Sequence, residues 1–321
     1  MLGPQIGSAG LGERGAVAVG QVDGAYWGGV GRMLLVVSMW STSGLFVRVI
    51  DGAEPFQVNA GRCLVSACLL ALFLIWRHGP RWRAAFRAIP WQAHLLVVGF
   101  FVIGTPIYIF ALSTTSVAKV AVIAASSPIF AAVLGRLITK ERSAPGIWLA
   151  ALMALAGVAI LFLDDLRRFG SLNLGDLAAL GVAITFAGQI VALRRWHHLE
   201  MLPSAVLANL AAVPVSLLLA GSITVSLHDA GIMALMGLIG LAVPFVLIME
   251  GVKHVPAVPL VLVSLLDVLV SPAWVWLFMD EVPRPTTVLG GTAIVAAVVL
   301  ATVLGRRPKP ALSAPAPAGP A

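Results

Sequence analysis

The sequence predicts an all-α integral membrane protein with ten transmembrane helices arranged as two inverted five-helix repeats. Three observations predict it. The chain is 60% hydrophobic and 11% charged, whereas soluble domains are about half apolar and a quarter charged, so most of its surface cannot face water. Apolar runs close to 20 residues long recur along it, each sufficient to cross a hydrocarbon layer of about 30 Å. The second half also echoes the first, residue type by residue type.

The elements follow in order. Residues 1–28 are Gly-rich and carry Glu13, Arg14 and Asp23. They lack the basic start and short apolar core of a cleaved signal peptide, and are expected to form a disordered cytoplasmic leader. Apolar runs at 30–49, 55–76, 91–112, 116–136 and 145–163 make the first repeat, residues 29–163. An outer linker, 164–174, leads to runs at 175–194, 203–222, 230–251, 256–279 and 285–305, which make the second repeat, 175–305. Merging the closest pairs, at residues 113–116 and 253–256, would create helices of about 45 residues, too long for tilt to absorb. The tail, 306–321, with Pro308, Pro310, Pro315, Pro317 and Pro320 among alanines, cannot build a packed core.

Charge placement gives orientation. With the N-terminus inside, the inner segments receive a long series of cations from Arg32 through Arg77, Arg81, Arg83, Arg87, Lys140, Arg194 and Lys253 to Arg306 and Arg307. The outer side receives Arg48, Arg167, Arg168 and Arg284, diluted by Asp51, Glu54, Asp164, Asp165, Asp280 and Glu281. Retention of Arg and Lys on the cytoplasmic side therefore places both termini there, in a multi-pass protein of a bacterial inner membrane. Trp76, Trp82, Trp91, Trp148 and Trp196 near run ends suit interfacial anchoring. The net charge of +7 is spread over run ends and is not gathered with aromatics into a basic stretch, which argues against nucleic-acid binding. Cys63 and Cys68 lie roughly 140° apart on one helix and can neither pair nor share a metal.

The repeat has landmarks. Trp40 and Arg48 align with Phe186 and Arg194, Pro55 with Pro203, Thr105-Pro106 with Val243-Pro244, and Glu141 with Glu281. Because each half has an odd number of runs, the second copy is inverted relative to the first, an architecture shared by many transporters. With Trp40-Ser41 ahead of Arg48, Pro55 with Arg62, Ser127-Pro128 thirteen residues before Glu141 and its Lys140-Glu141-Arg142 exit, Gly175-Asp176, and the stretch from Asp267 to Glu281, the chain resembles the EamA-like family of the drug/metabolite transporter superfamily. The resemblance covers about residues 31–305. It implies a ten-helix secondary transporter, often an exporter of amino acids or other small metabolites. In one place the pattern departs: the counterpart of Pro128 is Val268, with a proline displaced to Pro272, which leaves open a break in span nine at a different level.

Ionisable groups inside spans are costly and are functional candidates by default. Asp267 stands mid-run in Val and Leu, with Ser264 and Ser271 on the same helical face. It is expected to bind a substrate amine or to take up a coupling proton. Arg62 lies two turns into its run, and two placements are open: snorkelling to the interface, or facing inward to pair with Asp267 or a substrate carboxylate. The resemblance favours the interior. Trp40, Ser41, Thr42, Tyr108, Ser126, Ser127, Thr185 and Gln189 add polar groups on the spans where the family forms its cavity, so that Trp40, Ser41, Tyr108, Ser126, Ser127, Gln189, Ser264 and Asp267 are the expected lining. Asn209 is expected to bond between helices. Pro106, Pro128 and Pro244 are expected hinges, since each deprives a carbonyl of its donor.

Such a lining suits a small zwitterionic solute, with an amphipathic cation moved by proton-coupled efflux as the alternative. A membrane-embedded enzyme would need a nucleophile, metal ligands or an acid-base cluster. All six histidines fall at run ends without ligand spacing, and no phosphate-binding loop is present. No cofactor is expected. The expected partners are a small-molecule substrate and the lipid bilayer, with the chain acting as a monomer or homodimer.

Overall fold

A computed structural model describes residues 9–42, 46, 49–115, 117–141, 143–163, 173–222, 224–270 and 285–305. Among them there is no strand; the architecture is helical throughout. Helix α1 is Ala9–Trp40, α2 Pro55–His78, α3 the short Trp82–Arg87, and α4 Trp91–Thr114. Then come α5 (Val117–Ala124), α6 (Ser127–Leu134) and α7 (Pro145–Leu161). The second half contains α8 (Leu174–Arg195), α9 (Leu202–Leu219), α10 (Leu227–Leu235), α11 (Val243–His254), α12 (Ala257–Ser264) and α13 (Pro285–Gly305). Wider π-helical turns extend α6 over Gly135–Thr139 and join α10 to α11 over Met236–Ala242.

Among the described residues, seven helical stretches are long and apolar enough to cross a membrane, and Pro145–Leu161 and Ala257–Val270 are shorter apolar helices. Their backbone groups are satisfied within the helix, the arrangement that hydrocarbon tolerates. Leu72, Leu152, Leu218 and Val299 are exposed on the outside of the bundle, while Val36, Leu70, Val97, Ile190, Leu260 and Ile294 are buried. In a membrane, that exposed apolar surface meets lipid.

The leader differs from expectation. Helix α1 begins at Ala9, so residues 9–28 are helical where the composition suggested an unstructured segment. Tyr26 and Val30 are both buried, and the Tyr26 hydroxyl donates to the Thr302 carbonyl at 2.7 Å, docking α1 on α13. Once that packing fixes the helix, extending it backwards costs little, because propagation is far easier than nucleation. At its other end α1 stops at Trp40, and Ser41 and Thr42 form a turn inside the run expected to stay helical to 49.

Close backbone approach holds α7 on α13. A Cβ on Gly157 would lie 2.9 Å from the Gly290 carbonyl oxygen, and one on Gly290 2.5 Å from that of Gly157. Without a hydrophobic force between helices in lipid, such small-residue crossings supply the van der Waals contact that binds them. Beyond the described residues lie Arg48, Ser271, Pro272, Glu281, the linker at 164–172 and the tail.

Candidate functional site

Two of the apolar stretches are each interrupted by a single tight turn. Helix α5 gives way to α6 at Ala125-Ser126, where Ser126 N bonds Ile123 O at 3.0 Å and Ile129 N bonds Ser126 O at 2.9 Å. Helix α12 gives way at Leu265-Leu266, where Leu266 N bonds Val263 O at 3.1 Å and Leu269 N bonds Leu266 O at 2.9 Å. The second break lies 140 residues after the first, the same separation as Glu281 from Glu141. The displaced Pro272 therefore does not move the break, as the departure from the repeat had left open. In α6, Pro128 lacks the N–H that Ala124 would need, and its ring crowds that carbonyl. In span nine, Ser264 turns its hydroxyl back onto the Val261 carbonyl at 2.7 Å, as Ser126 does onto Ile123 at 2.6 Å. Such back-bonding bends helices. Asp267 then opens the next turn, where a carboxylate suits the positive end of the helix dipole.

Arg62 faces inward. Its Nε and Nη2 donate to Asn59 Oδ1 at 3.0 and 2.7 Å, and Nη2 also reaches Thr105 Oγ1 at 3.2 Å. Thr105 donates to the same Asn59 oxygen at 2.8 Å, and Asn59 Nδ2 donates to Ser216 at 2.8 Å. Asn59 and Ser216 are fully buried, which places the guanidinium between α2, α4 and α9 and rules out snorkelling. A mid-membrane Arg costs about 2.5–3.5 kcal/mol, and hydrogen bonds to a charged group return about 1.5–3 kcal/mol each. Three such bonds suffice to hold it inside. The π turn also presses on this place, since a Cβ on Gly237 would meet the Arg62 carbonyl oxygen at 2.7 Å.

Tyr108 follows Thr105 by one turn on the same face of α4. It lies close enough to both Arg62 and Asp267 to feel their charges. Tyr108 thus lies within electrostatic range of both Arg62 and Asp267, and all three were singled out from sequence. Asn59, which organises them, was not among those singled out. A lone amide in an apolar run carried no signal until α4 and α9 were packed on it.

Trp40 has a different task. Its indole N–H donates to the Gly240 carbonyl at 2.9 Å. Gly240 lies in the π turn just before Pro244, whose missing N–H deprives that turn of one donor. Trp40 supplies a donor there from across the bundle. Its ring also meets Phe186, its repeat counterpart, edge-on with centroids 5.9 Å apart.

The other polar residues are distributed. Ser41 is buried with its hydroxyl on Ser38 O at 2.9 Å, Ser126 and Ser264 bond their own helices, and Ser127 is buried beside Pro128. Thr185 spends its hydroxyl on Gly181 and Val182 carbonyls, whereas half-buried Gln189 makes no side-chain hydrogen bond with the described residues. Asn209 bonds Ala205 of its own helix at 2.9 Å and, among the described residues, no neighbouring helix. Of the expected hinges, α4 runs unbroken through Pro106, Pro128 follows the break, and Pro244 follows the π turn.

One buried and one half-buried ion pair lie at opposite ends of the bundle. Lys119 donates to Asp176 at 3.1 Å, and Thr115 bonds the other oxygen of that carboxylate at 2.9 Å. Lys119 was overlooked in the sequence because it falls at the start of an apolar run. At the opposite, Arg-rich end, Arg194 pairs with Glu141 at 3.3 Å and donates to the carbonyls of Val252 and Lys253. Glu250 meets Lys253, three residues on, at 2.6 Å. A shallow cleft lined by Phe73, Arg77, His197, Glu200, Glu250 and Lys253 also opens at that end. Its Arg77 and Lys253 already pair with Glu200 and Glu250, so it offers little uncompensated charge to a solute.

The model of the EamA-like transporter family matches twice, over residues 27–163 and 173–303. The chain belongs to that family. Solute carrier family 35 member G1 of Mus musculus is 27% identical over 306 residues, covering 86% of this chain and 78% of that protein. Transporter YwfM of Bacillus subtilis (strain 168) is 27% identical over 292 residues, covering 88% and 96%. Pseudopaline exporter CntI of Pseudomonas aeruginosa (strain UCBPP-PA14) is 25% identical over 199 residues, covering 60% and 68%. A solved crystal structure shares the fold with a TM-score of 0.75 at 21% identity, covering 88% of this chain and 98% of that one. The protein is a multi-pass membrane transporter of this family.

Proposed function

We propose that this chain is a secondary transporter that exports an amino acid or similar small metabolite by alternating access. Two inverted five-helix repeats, 29–163 and 175–305, rock about the place where Arg62, Tyr108 and Asp267 meet. The observation that carries this reading is the pair of equivalent helix breaks, at 125–126 and 265–266, the second opening onto Asp267. Broken helices at repeat-related positions are where midplane carriers bind solutes and coupling ions. Asp267 takes the substrate amine or the coupling proton; Gln189, Ser126, Ser127 and Ser264 line the route, and Trp40 frames it. Pro106, Pro128 and Pro244 let the helices bend. The Arg-rich end faces the cytoplasm with both termini, and the relative named as an exporter supports the outward direction. An amphipathic cation is the second reading, favoured by the Trp40–Phe186 ring pair.

The test is uptake into proteoliposomes of radiolabelled amino acids, nucleobases and cationic drugs, with and without a pH gradient. Saturable uptake that Asp267→Asn abolishes or detaches from pH is expected. Saturable uptake indifferent to that change would remove Asp267 from the site, and none across the panel would count against the carrier reading.

A further inference from the structure

We propose that Arg62, set by Asn59, is a receptor for an anion, and that the transported molecule bears a carboxylate. The inference rests on the carrier reading above and narrows it to one substrate class.

What holds Arg62 decides the matter. Lys119 and Arg194 are each matched by a carboxylate, Asp176 and Glu141. Arg62 has no carboxylate within ion-pair distance among the described residues; its partners are a neutral amide and a hydroxyl. Asn59 therefore orients the guanidinium without cancelling its charge. The amide is itself fixed, since Ser216 holds its nitrogen and Thr105 shares its oxygen. A buried amide with both ends spoken for cannot follow Arg62 if the side chain swings. The guanidinium is thus held in one orientation before any ligand arrives, which lowers the ordering cost of binding. Its Nη1 group, with two N–H donors, makes no hydrogen bond with the described residues. Arg62 is partly accessible, whereas Asn59 behind it is sealed. A planar, oxygen-bearing anion is the ligand such a fork recognises best, and the Tyr108 hydroxyl one turn beyond Thr105 is a further donor on the same side. Asn59 is a positioning residue, and Arg62 the binding one.

The experiment uses the full chain with three matched probes: leucine, leucinamide, which lacks the carboxylate, and N-acetylleucine, which lacks the amine. Thermal stabilisation in detergent reports binding, and proteoliposome uptake reports transport. Leucine and N-acetylleucine are expected to stabilise the parent, and leucinamide is not. Arg62→Gln is expected to erase that preference. Asn59→Asp keeps size and shape but supplies the missing charge, so it is expected to weaken both carboxylate probes at least about tenfold while the protein stays folded. Asn59→Ala frees Arg62 to wander and is expected to raise KM with maximal uptake little changed. Preference for leucinamide in the parent, or Asn59→Asp binding carboxylates as the parent does, overturns the inference and leaves the carrier standing. Carboxylate-selective stabilisation without uptake sustains the receptor and overturns the carrier. Neither stabilisation nor uptake by any probe overturns both.

Discussion

Spans four and nine break at the same level, yet only one of them has a proline there. In span four Pro128 removes a donor outright; in span nine Val268 keeps its N–H and donates it three residues back, to Leu265 O at 3.1 Å. A break common to both, with different chemistry at each, belongs to the packing of the bundle, and the local residues make it affordable in different ways. Proline serves span four. Span nine relies on the back-bonded Ser264 and on Asp267, which puts an acid where span four has Ser127. The same contrast appears at Pro106 and Pro244, where only the second is preceded by a π turn, with Trp40 donating to a carbonyl of that turn. Phe186, in the equivalent position, has no N–H to offer. The two halves thus share a backbone plan and differ in who satisfies it.

The largest effect is expected from making the two breaks alike. Asp267→Ser gives span nine the residue type of span four. Span four makes the same break with a serine at this place, so the substitution should keep the fold, and it should abolish proteoliposome uptake. Thermal stability little changed, together with lost transport, is the expected pattern. Lower stability with transport retained would mean that the acid serves the break and not the solute.

Much of this was legible in the sequence, for physical reasons. Asp267 declared itself as a charge in a run of Val and Leu, where every unpaired polar group is costly. Run lengths gave the helical, membrane-crossing character because hydrocarbon thickness fixes it, though not where each helix ends: the run expected to stay helical to 49 turns at Ser41-Thr42. The break at Leu265-Leu266 was not legible, since two leucines carry no mark of a helix end and the nearest proline points elsewhere. Asn59 was equally silent, its role arising from Thr105 and Ser216 on other helices. Trp40 was found as a polar group on a span expected to line the cavity, but its partner is a carbonyl on a helix two hundred residues away in the chain.

Introducing proline into span nine sharpens the comparison next. Leu262→Pro, inside α12, should cost about 3 kcal/mol or more. Val268→Pro, which copies Pro128, loses only the single bond to Leu265 and should cost about 1 kcal/mol. Thermal unfolding in detergent separates them, and equal losses would show that span nine is not broken where span four is.

A smaller and more specific effect concerns the pairing across the repeats. Trp40→Phe leaves the Gly240 carbonyl without its donor and should cost about 1–3 kcal/mol. Pro244→Ala returns an N–H to that carbonyl's own helix, so the same tryptophan substitution made in the Pro244→Ala background should cost less. A coupling of roughly 1 kcal/mol in the double-mutant cycle would identify the shared carbonyl as the link. Strict additivity would mean that Trp40 acts through ring packing on Phe186 alone.

The smallest effect lies where span four ends. Lys140 takes a left-handed backbone conformation, φ 57°, which turns the chain so that Glu141 reaches Arg194. A side chain there is strained by about 1 kcal/mol relative to glycine. Lys140→Gly should therefore raise stability by about that much and leave the Glu141–Arg194 pair in place, while Glu141→Gln in the same background should lower it again. If Lys140→Gly instead destabilises the protein, the lysine side chain contributes more than its backbone costs, and the turn is held by charge at the membrane surface and not by the pair.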